Sequence, residues 1–231
     1  MLLFIGVTIL TLVMAYFCNN TSQVQLYMGT GKRPLSGGRT RHSSSLWKTY
    51  GNYEIILEKE FIMNEKVAAL LNEQINKEFY SAYLYIDIAN YYTALDLDGY
   101  ANYYMVQAQE ERDHALLFMK YMQNNGLKVT LEAIGKPDKA FDSILTPLEI
   151  AAEHERYVTS LINNIYHEAH QAKDYRTMKF LDWFVDEQME EEENADKMIS
   201  RYQLFGSDSK GLYLLDQEYA SRVYTAPTLV L

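Results

Sequence analysis

The segment Tyr104–Phe118, YMVQAQEERDHALLF, combines apolar residues at helical spacing with a carboxylate and an imidazole on one face. Steps of three and four residues trace an apolar stripe that contains Glu111 where a leucine would be expected, with His114 beside it. A Glu-x-x-His pair places an oxygen and a nitrogen ligand one helical turn apart. The segment therefore predicts a core helix that carries half of a metal site, although a single such pair is also common on solvated helices.

Three further helical segments carry the same interruption. Glu78, Glu155 and Glu191 each stand in the apolar stripe of their own segment, which places four carboxylates at one level of a core. Burying an ionised carboxylate without a partner is costly, and no Lys or Arg lies on these stripes near the carboxylates. Two divalent or trivalent metal ions would balance the four charges.

The single cysteine, Cys18, lies near the N-terminus, outside the helical segments. Metal ligands must then be oxygen and nitrogen atoms. Carboxylates with one imidazole and no sulfur suit Fe(II) and Fe(III), with zinc and manganese as competitors that do not react.

The apolar periodicity continues from Met63 with few Pro or Gly residues, which predicts four long helices and one short one. The first is expected to start after Asn64 and to end near Tyr92. The second is expected to start after Asp96 or Asp98 and to stop at 124–126, Asn-Asn-Gly. The short join between them makes these two helices antiparallel neighbours.

The third helix is predicted to open at Thr146–Glu149, where Thr146 caps, Pro147 occupies the first turn and Glu149 reaches back. It is expected to continue to about Ala172. Some twenty residues, Leu127–Leu145, connect it to the second helix, and that length can cross a bundle. The third helix can therefore lie parallel to the second.

A turn near Asp174 leads into the fourth helix, which is predicted to end near Phe205. After the turn Gly206–Gly211, the residues around Glu218 predict a short terminal helix. The expected fold is all-α: a four-helix bundle with one long crossover between the second and third helices and a short C-terminal fifth helix.

At these residues the sequence resembles the non-haem ferritins, and the bacterial-type branch in particular. The resemblance spans about residues 63–220 and implies a ferritin-like bundle in a shell of 24 subunits. The matching stretches are LNEQINKEFYS at Leu71–Ser81, QEERDH at Gln109–His114, HE at His154–Glu155, EQMEEE at Glu187–Glu192 and GLYLLD at Gly211–Asp216.

The resemblance also implies a di-iron centre. The first iron would be held by Glu78, Glu111 and His114, with Glu111 bridging to a second iron held by Glu155 and Glu191, and with Gln188 close by. Tyr85 matches the family tyrosine beside the centre; its alternative interpretation is ordinary aromatic core. A third, inner iron site would use Glu110, Glu187 and Glu190, although Glu190–Glu193 could equally be a solvated face.

The function implied is iron storage: oxidation of Fe(II) by O2 at the di-iron ferroxidase centre and deposition of Fe(III) mineral in the shell. The alternative is a di-iron oxygenase or a rubrerythrin-like peroxidase that retains its metals. The fourth helix offers Gln188-x-x-Glu191 in place of a second Glu-x-x-His, and no cysteine-rich segment is present, so the sequence favours ferritin. It shows no dedicated haem-ligating motif, and no haem is expected.

The N-terminal segment differs in composition from the rest. All 31 Asp and Glu residues follow Tyr53. The acidic character of the chain after Tyr53 favours binding of cations and argues against binding of nucleic acid. The apolar run Leu2–Phe17 is typical of a signal-peptide core, with a retained membrane anchor as the alternative, and Ser36–Ser45 has the composition of a transit peptide. We predict a bipartite leader over residues 1–53, cleaved or disordered, and a di-iron domain over residues 54–231 with no membrane association in its mature form. The predicted destination is a plastid (chloroplast), with secretion or another organelle left open.

Overall fold

The computed structural model describes residues 46–50, 53–57 and 63–231. The chain divides into two units, Met1–Ile62 and Met63–Leu231. In the first unit, strands β1 (Leu46–Tyr50) and β2 (Tyr53–Leu57) form an antiparallel pair, with Leu46 opposite Leu57. This hairpin was not predicted from the sequence. Both segments of the predicted leader, Leu2–Phe17 and Ser36–Ser45, lie outside the described residues, and the division at residue 53 stays a prediction.

The second unit consists of helices, as the sequence predicted. Four long helices and a short one follow each other along Met63–Leu231, and the all-α bundle is confirmed. Among the described residues, no helix is long and apolar enough to cross a membrane. The helices are α1 (Glu65–Thr93), α2 (Asp98–Asn124), α3 (Leu145–Gln171), α4 (Tyr175–Phe205) and α5 (Ser209–Tyr219).

The starts of three helices show how local polar groups set the boundaries. Asn64 caps α1 by accepting from the amides of Lys66 and Val67, and Asp174 caps α4 by accepting from the amide of Thr177. The prediction that Thr146 caps α3 is wrong. Ser143 Oγ accepts from the Thr146 amide at 3.2 Å, so the helix begins earlier and Thr146 lies inside it.

The long connection between α2 and α3 runs along α1, in the direction opposite to α2. Near its start, the Asn72 side chain exchanges hydrogen bonds with the backbone of Thr130 at 2.8 and 2.9 Å. At its end, the Tyr92 hydroxyl donates to the Ile144 carbonyl at 2.8 Å. The connection therefore crosses the bundle from the beginning of α1 to its end, and α3 runs parallel to α2 as predicted.

The bundle interior consists of two hydrophobic clusters with a polar layer between them. One cluster is centred on Phe118, Phe180 and Phe184, and the other on the tyrosines Tyr92 and Tyr104. The polar residues between the clusters are all buried, and they come from the four long helices. They are Gln74, Glu78, Ser81, Gln107, Glu111, His114, Glu155, Gln188 and Glu191.

Helix α5 closes the end of the bundle by capping α2. The α2 N-terminus lacks a side-chain cap of its own, and Asp216 of α5 accepts from the amides of Gly99 and Tyr100 at 2.8 and 3.1 Å. The approach leaves no space for a side chain at Gly99, because a Cβ there would lie 1.7 Å from the Asp216 carbonyl oxygen.

The Gly99→Ala variant is therefore expected to destabilise the bundle by about 1–3 kcal/mol, as forced overpacking does. Denaturant unfolding of the iron-free protein measures this loss. Gly135→Ala is the matched control, since a Cβ at Gly135 would meet only the Tyr80 ring at an ordinary 3.6 Å. Equal stability of the two variants would contradict the role of the α2–α5 contact.

Candidate metal centre

Three ligand groups converge in the polar layer. Glu78 comes from α1, and Glu111 and His114 from successive turns of α2. One potential ligand atom from each lies within 4.8 Å of the other two, and the side chains are only 1–3% exposed. Among the side chains that the structure describes, this is the one group of three or more Asp, Glu, His or Cys residues with that geometry.

Two buried glutamines orient the carboxylates. Gln74 donates to Glu78 Oε1 at 2.8 Å, and Gln107 donates to Glu111 Oε1 at 3.1 Å. Each glutamine lies one turn before its glutamate on the same helix. One oxygen of each carboxylate is thereby held by an amide, which leaves the other oxygen to face the cluster.

One unpaired carboxylate oxygen in this group fits a cation. Glu78 Oε2 is one of three buried side-chain atoms within the described residues that have no hydrogen-bond partner. Glu111 Oε2 lies 3.4 Å from His114 Nδ1. A buried carboxylate oxygen without a donor is costly, and a metal ion at this position would satisfy it. The donor set of two carboxylates and one imidazole suits iron.

A second pair of carboxylates, Glu155 of α3 and Glu191 of α4, lies at the same level. The Tyr85 hydroxyl donates to Glu155 Oε1, and the Gln188 amide donates to Glu155 Oε2 at 3.2 Å. A small cavity of about 10 Å³ adjoins this pair. Such a volume has room for about one water-sized particle, so it suits an ion. Its walls include Tyr85, Gln107, Glu155 and Glu191.

Burial and mutual repulsion set the protonation of this layer. Burial, together with the charge of Glu111, raises the pKa of Glu78 and that of Glu191 to about 8 and raises the pKa of Glu155 well above its usual value. Burial also acts to raise the pKa of Glu111, but hydrogen bonds with His114 and Gln107 outweigh it and hold that pKa below the usual value. Against burial, the neighbouring carboxylates raise the pKa of His114 to about 10. Near neutral pH, Glu78, Glu155 and Glu191 therefore hold protons in the metal-free layer, and Glu111 and His114 form an ion pair. A metal ion that binds there would displace protons.

The three residues predicted to form an inner site are less closely associated. Glu110 Oε2 accepts from the Arg222 guanidinium at 2.5 Å. Glu187 is partly buried, with Oε1 3.8 Å from His114 Nε2, and Glu190 is exposed. The structure places them along the edge of the first cluster and does not bring them together as a three-ligand group.

Comparison with known proteins identifies the family. Residues 68–205 match the Ferritin family, described as a ferritin-like domain. The bacterial non-heme ferritin of Staphylococcus epidermidis is 37% identical over 163 residues, which cover 71% of this chain and 98% of the relative. The chain belongs to the ferritin family.

Other ferritins support this assignment. The bacterial non-heme ferritin of Campylobacter jejuni is 37% identical over 68% of this chain and 93% of the relative. The open pore ferritin of the archaeon Archaeoglobus fulgidus superposes with a TM-score of 0.68 at 40% identity, over 70% of this chain and 98% of that chain. A humanized archaeal ferritin superposes with a TM-score of 0.70, also at 40% identity, over 71% and 99%.

Within this ferritin, sequence reasoning missed three polar residues of the site. Gln74 and Gln107 each precede a predicted ligand by four residues on the same stripe, a spacing that could have indicated partners for Glu78 and Glu111. Arg222 gave no such signal, because it lies beyond α5 and reaches the site only through the fold.

Proposed function

We propose that this ferritin subunit oxidises Fe(II) with O2 at a pair of metal positions in the polar layer and passes Fe(III) on to a mineral store. The observation that carries the proposal is the buried group Glu78, Glu111 and His114, in which one carboxylate oxygen has no hydrogen-bond partner. Fe(II) is the substrate at this position. A second Fe(II) would be held by Glu155 and Glu191, with Glu111 bridging the two positions.

The protein's contribution is to hold two Fe(II) ions close together in a dry site rich in carboxylates. Each iron gives one electron, and the oxygen molecule accepts both. The carboxylates favour oxidation because Fe(III) binds oxygen anions more strongly than Fe(II) does. Burial keeps competing water away from both positions.

The two metal positions differ in their ligand atoms, and this difference favours the release of oxidised iron over its retention. His114 supplies an imidazole to the first position, whereas Glu191 stands where a second Glu-x-x-His would place its histidine, and Gln188 where it would place its glutamate. Gln188 donates to Glu155, so its amide orients a ligand. The second position therefore binds iron more weakly and can release the oxidised ion.

Tyr85→Phe is expected to weaken Fe(II) binding at the second position by roughly 10- to 100-fold, the loss typical when a group that orients a ligand is removed. The reason is that the Tyr85 hydroxyl donates to Glu155. Anaerobic calorimetric titration with Fe(II) measures the two affinities. Tyr92→Phe is the matched control, since its hydroxyl bonds only the Ile144 carbonyl. Indistinguishable second-step affinities in the two variants would rule out this role for Tyr85.

Native mass measurement after aerobic Fe(II) loading distinguishes storage from the competing oxygenase or peroxidase function. A ferritin accumulates far more iron than its ferroxidase centres can hold. An oxygenase or rubrerythrin-like peroxidase would retain only about two ions per chain, as a di-iron site does. Saturation at two ions per subunit would overturn the storage proposal.

The same measurement on iron-free protein tests the assembly. We infer a homo-oligomeric shell, with 24 subunits as the number that the resemblance implies. Large apolar side chains on the outside of the bundle suit subunit contacts. Those exposed by more than 40% include Tyr83, Ile86, Leu116, Tyr157 and Met189. A monomeric mass would contradict the shell.

We further infer a plastid destination from the composition of residues 1–53. A fluorescent protein fused behind these residues should accumulate in the plastids of a plastid-containing cell. Deleting Ser36–Ser45 should leave the fusion in the secretory system, because the apolar run alone remains. Secretion of the intact fusion would favour the alternative location.

A further inference from the structure

The chain after α5 turns back and runs along the bundle beside the metal centre. The Asn102 side chain of α2 donates to the Tyr219 and Arg222 carbonyls at 3.3 and 3.0 Å. Further along, the Tyr224 hydroxyl donates to Asp113. The tail, defined as residues 220–231, is thus fixed along α2 over several turns.

Arg222 is the tail residue that reaches the site. Its Nη2 donates to Glu110 Oε2 at 2.5 Å, and its Nη1 donates to Gln107 Oε1 at 2.8 Å and to the Tyr103 carbonyl at 3.2 Å. The guanidinium also lies 4.1 Å from the centre of the Tyr103 ring. Both members of the Arg222–Glu110 ion pair are largely buried, with side chains 21% and 17% exposed.

These contacts connect Arg222 to the proposed bridging ligand. Because the Gln107 oxygen accepts from Arg222, its amide group must point the other way, where it donates to Glu111. Arg222 therefore determines which end of Gln107 faces the centre, and it does so with a charge that does not titrate in proteins.

The contact between Arg222 and Glu110 also affects the predicted inner iron site. Glu110 is one of three carboxylates predicted to hold a third iron, and its oxygen is bonded to the guanidinium. A divalent ion at Glu110 would have to displace a largely buried, charge-assisted hydrogen bond. The positive charge that this carboxylate needs is already supplied by the chain.

We propose that the Arg222 guanidinium takes the place of a third metal ion at this centre. It thereby restricts tight Fe(II) binding to two ions per subunit. The inference rests on the proposed function. Removal of the guanidinium frees Glu110 to join Glu187, and a third Fe(II) then binds at the edge of the first cluster.

Anaerobic calorimetric titration with Fe(II) tests this inference in the assembled protein. The parent is expected to bind two tight equivalents per subunit, and Arg222→Gln three. The third equivalent should disappear again in the double variant Arg222→Gln with Glu110→Gln. Arg201→Gln, which removes a guanidinium from the surface pair with Glu218, is the matched control and should keep two.

Several results would overturn the inference. Two equivalents in Arg222→Gln would show that the guanidinium does not limit occupancy, and a third equivalent that survives Glu110→Gln would place the extra ion elsewhere. Glu110→Gln in the presence of Arg222 provides an independent test, because it should leave the two equivalents unchanged. A loss of binding there would mean that Glu110 already holds metal. A parent that binds no Fe(II) would instead remove the proposed function itself.

Discussion

Glu111→Ala is expected to abolish rapid Fe(II) oxidation more completely than any other single substitution in the bundle. Glu111 is the carboxylate that both metal positions share in the proposed centre, and it is 3% exposed. Its loss should exceed the roughly 10- to 100-fold reduction typical of groups that only orient ligands, because both irons lose a donor. Stopped-flow absorbance after mixing with Fe(II) and O2 measures the initial rate.

Glu73→Ala is the control for this substitution. Glu73 lies on α1, and its side chain is 59% exposed in a surface pair with Lys77. This variant removes one negative charge from the same subunit without touching the polar layer, so its trace should match the parent. A normal initial rate in Glu111→Ala would show that the bridge is assigned to the wrong residue.

Glu78→Gln is expected to stabilise the iron-free protein while eliminating Fe(II) binding at the first position. Glu78 Oε2 is buried without a hydrogen-bond partner, and a neutral amide could donate to Glu111 from the same place. The gain should be about 1–3 kcal/mol, the usual cost of leaving a buried polar group unpaired. Denaturant unfolding with and without Fe(II) under argon measures both effects.

The parent should gain stability when Fe(II) is added, whereas Glu78→Gln should gain much less, because ligand binding stabilises only a state that binds. Glu168→Gln is the control: it replaces a carboxylate of the Lys66 surface pair and should change stability by less than about 0.5 kcal/mol. A destabilised, iron-responsive Glu78→Gln variant would mean that the unpaired carboxylate is not the cation's partner.

The helices and the carboxylate layer could be predicted from the sequence because both depend on local spacing. Apolar residues three and four positions apart identify a helix face, and a charge on that face is conspicuous wherever it falls. This is why the predicted ends at Tyr92 and Phe205 lie within one residue of the observed ones. The crossover between α2 and α3 could be predicted from the length of the connecting segment alone.

Features that depend on contacts between distant residues could not be predicted. Asp216 caps a helix that begins more than a hundred residues earlier, and Arg222 reaches Glu110 across a similar separation. Helix α3 shows the same limit at short range: Thr146 was predicted to cap the helix, but it lies inside it and its amide donates to Ser143 Oγ.

The central claim is that the four buried carboxylates surround iron. Crystals soaked with Fe(II) under argon and measured at the iron absorption edge would test it most directly, because anomalous density locates iron independently of the protein. We expect two peaks per subunit, one beside Glu78, Glu111 and His114, and one between Glu111, Glu155 and Glu191. Density confined to the exposed carboxylates near Glu190, with none in the polar layer, would contradict the account.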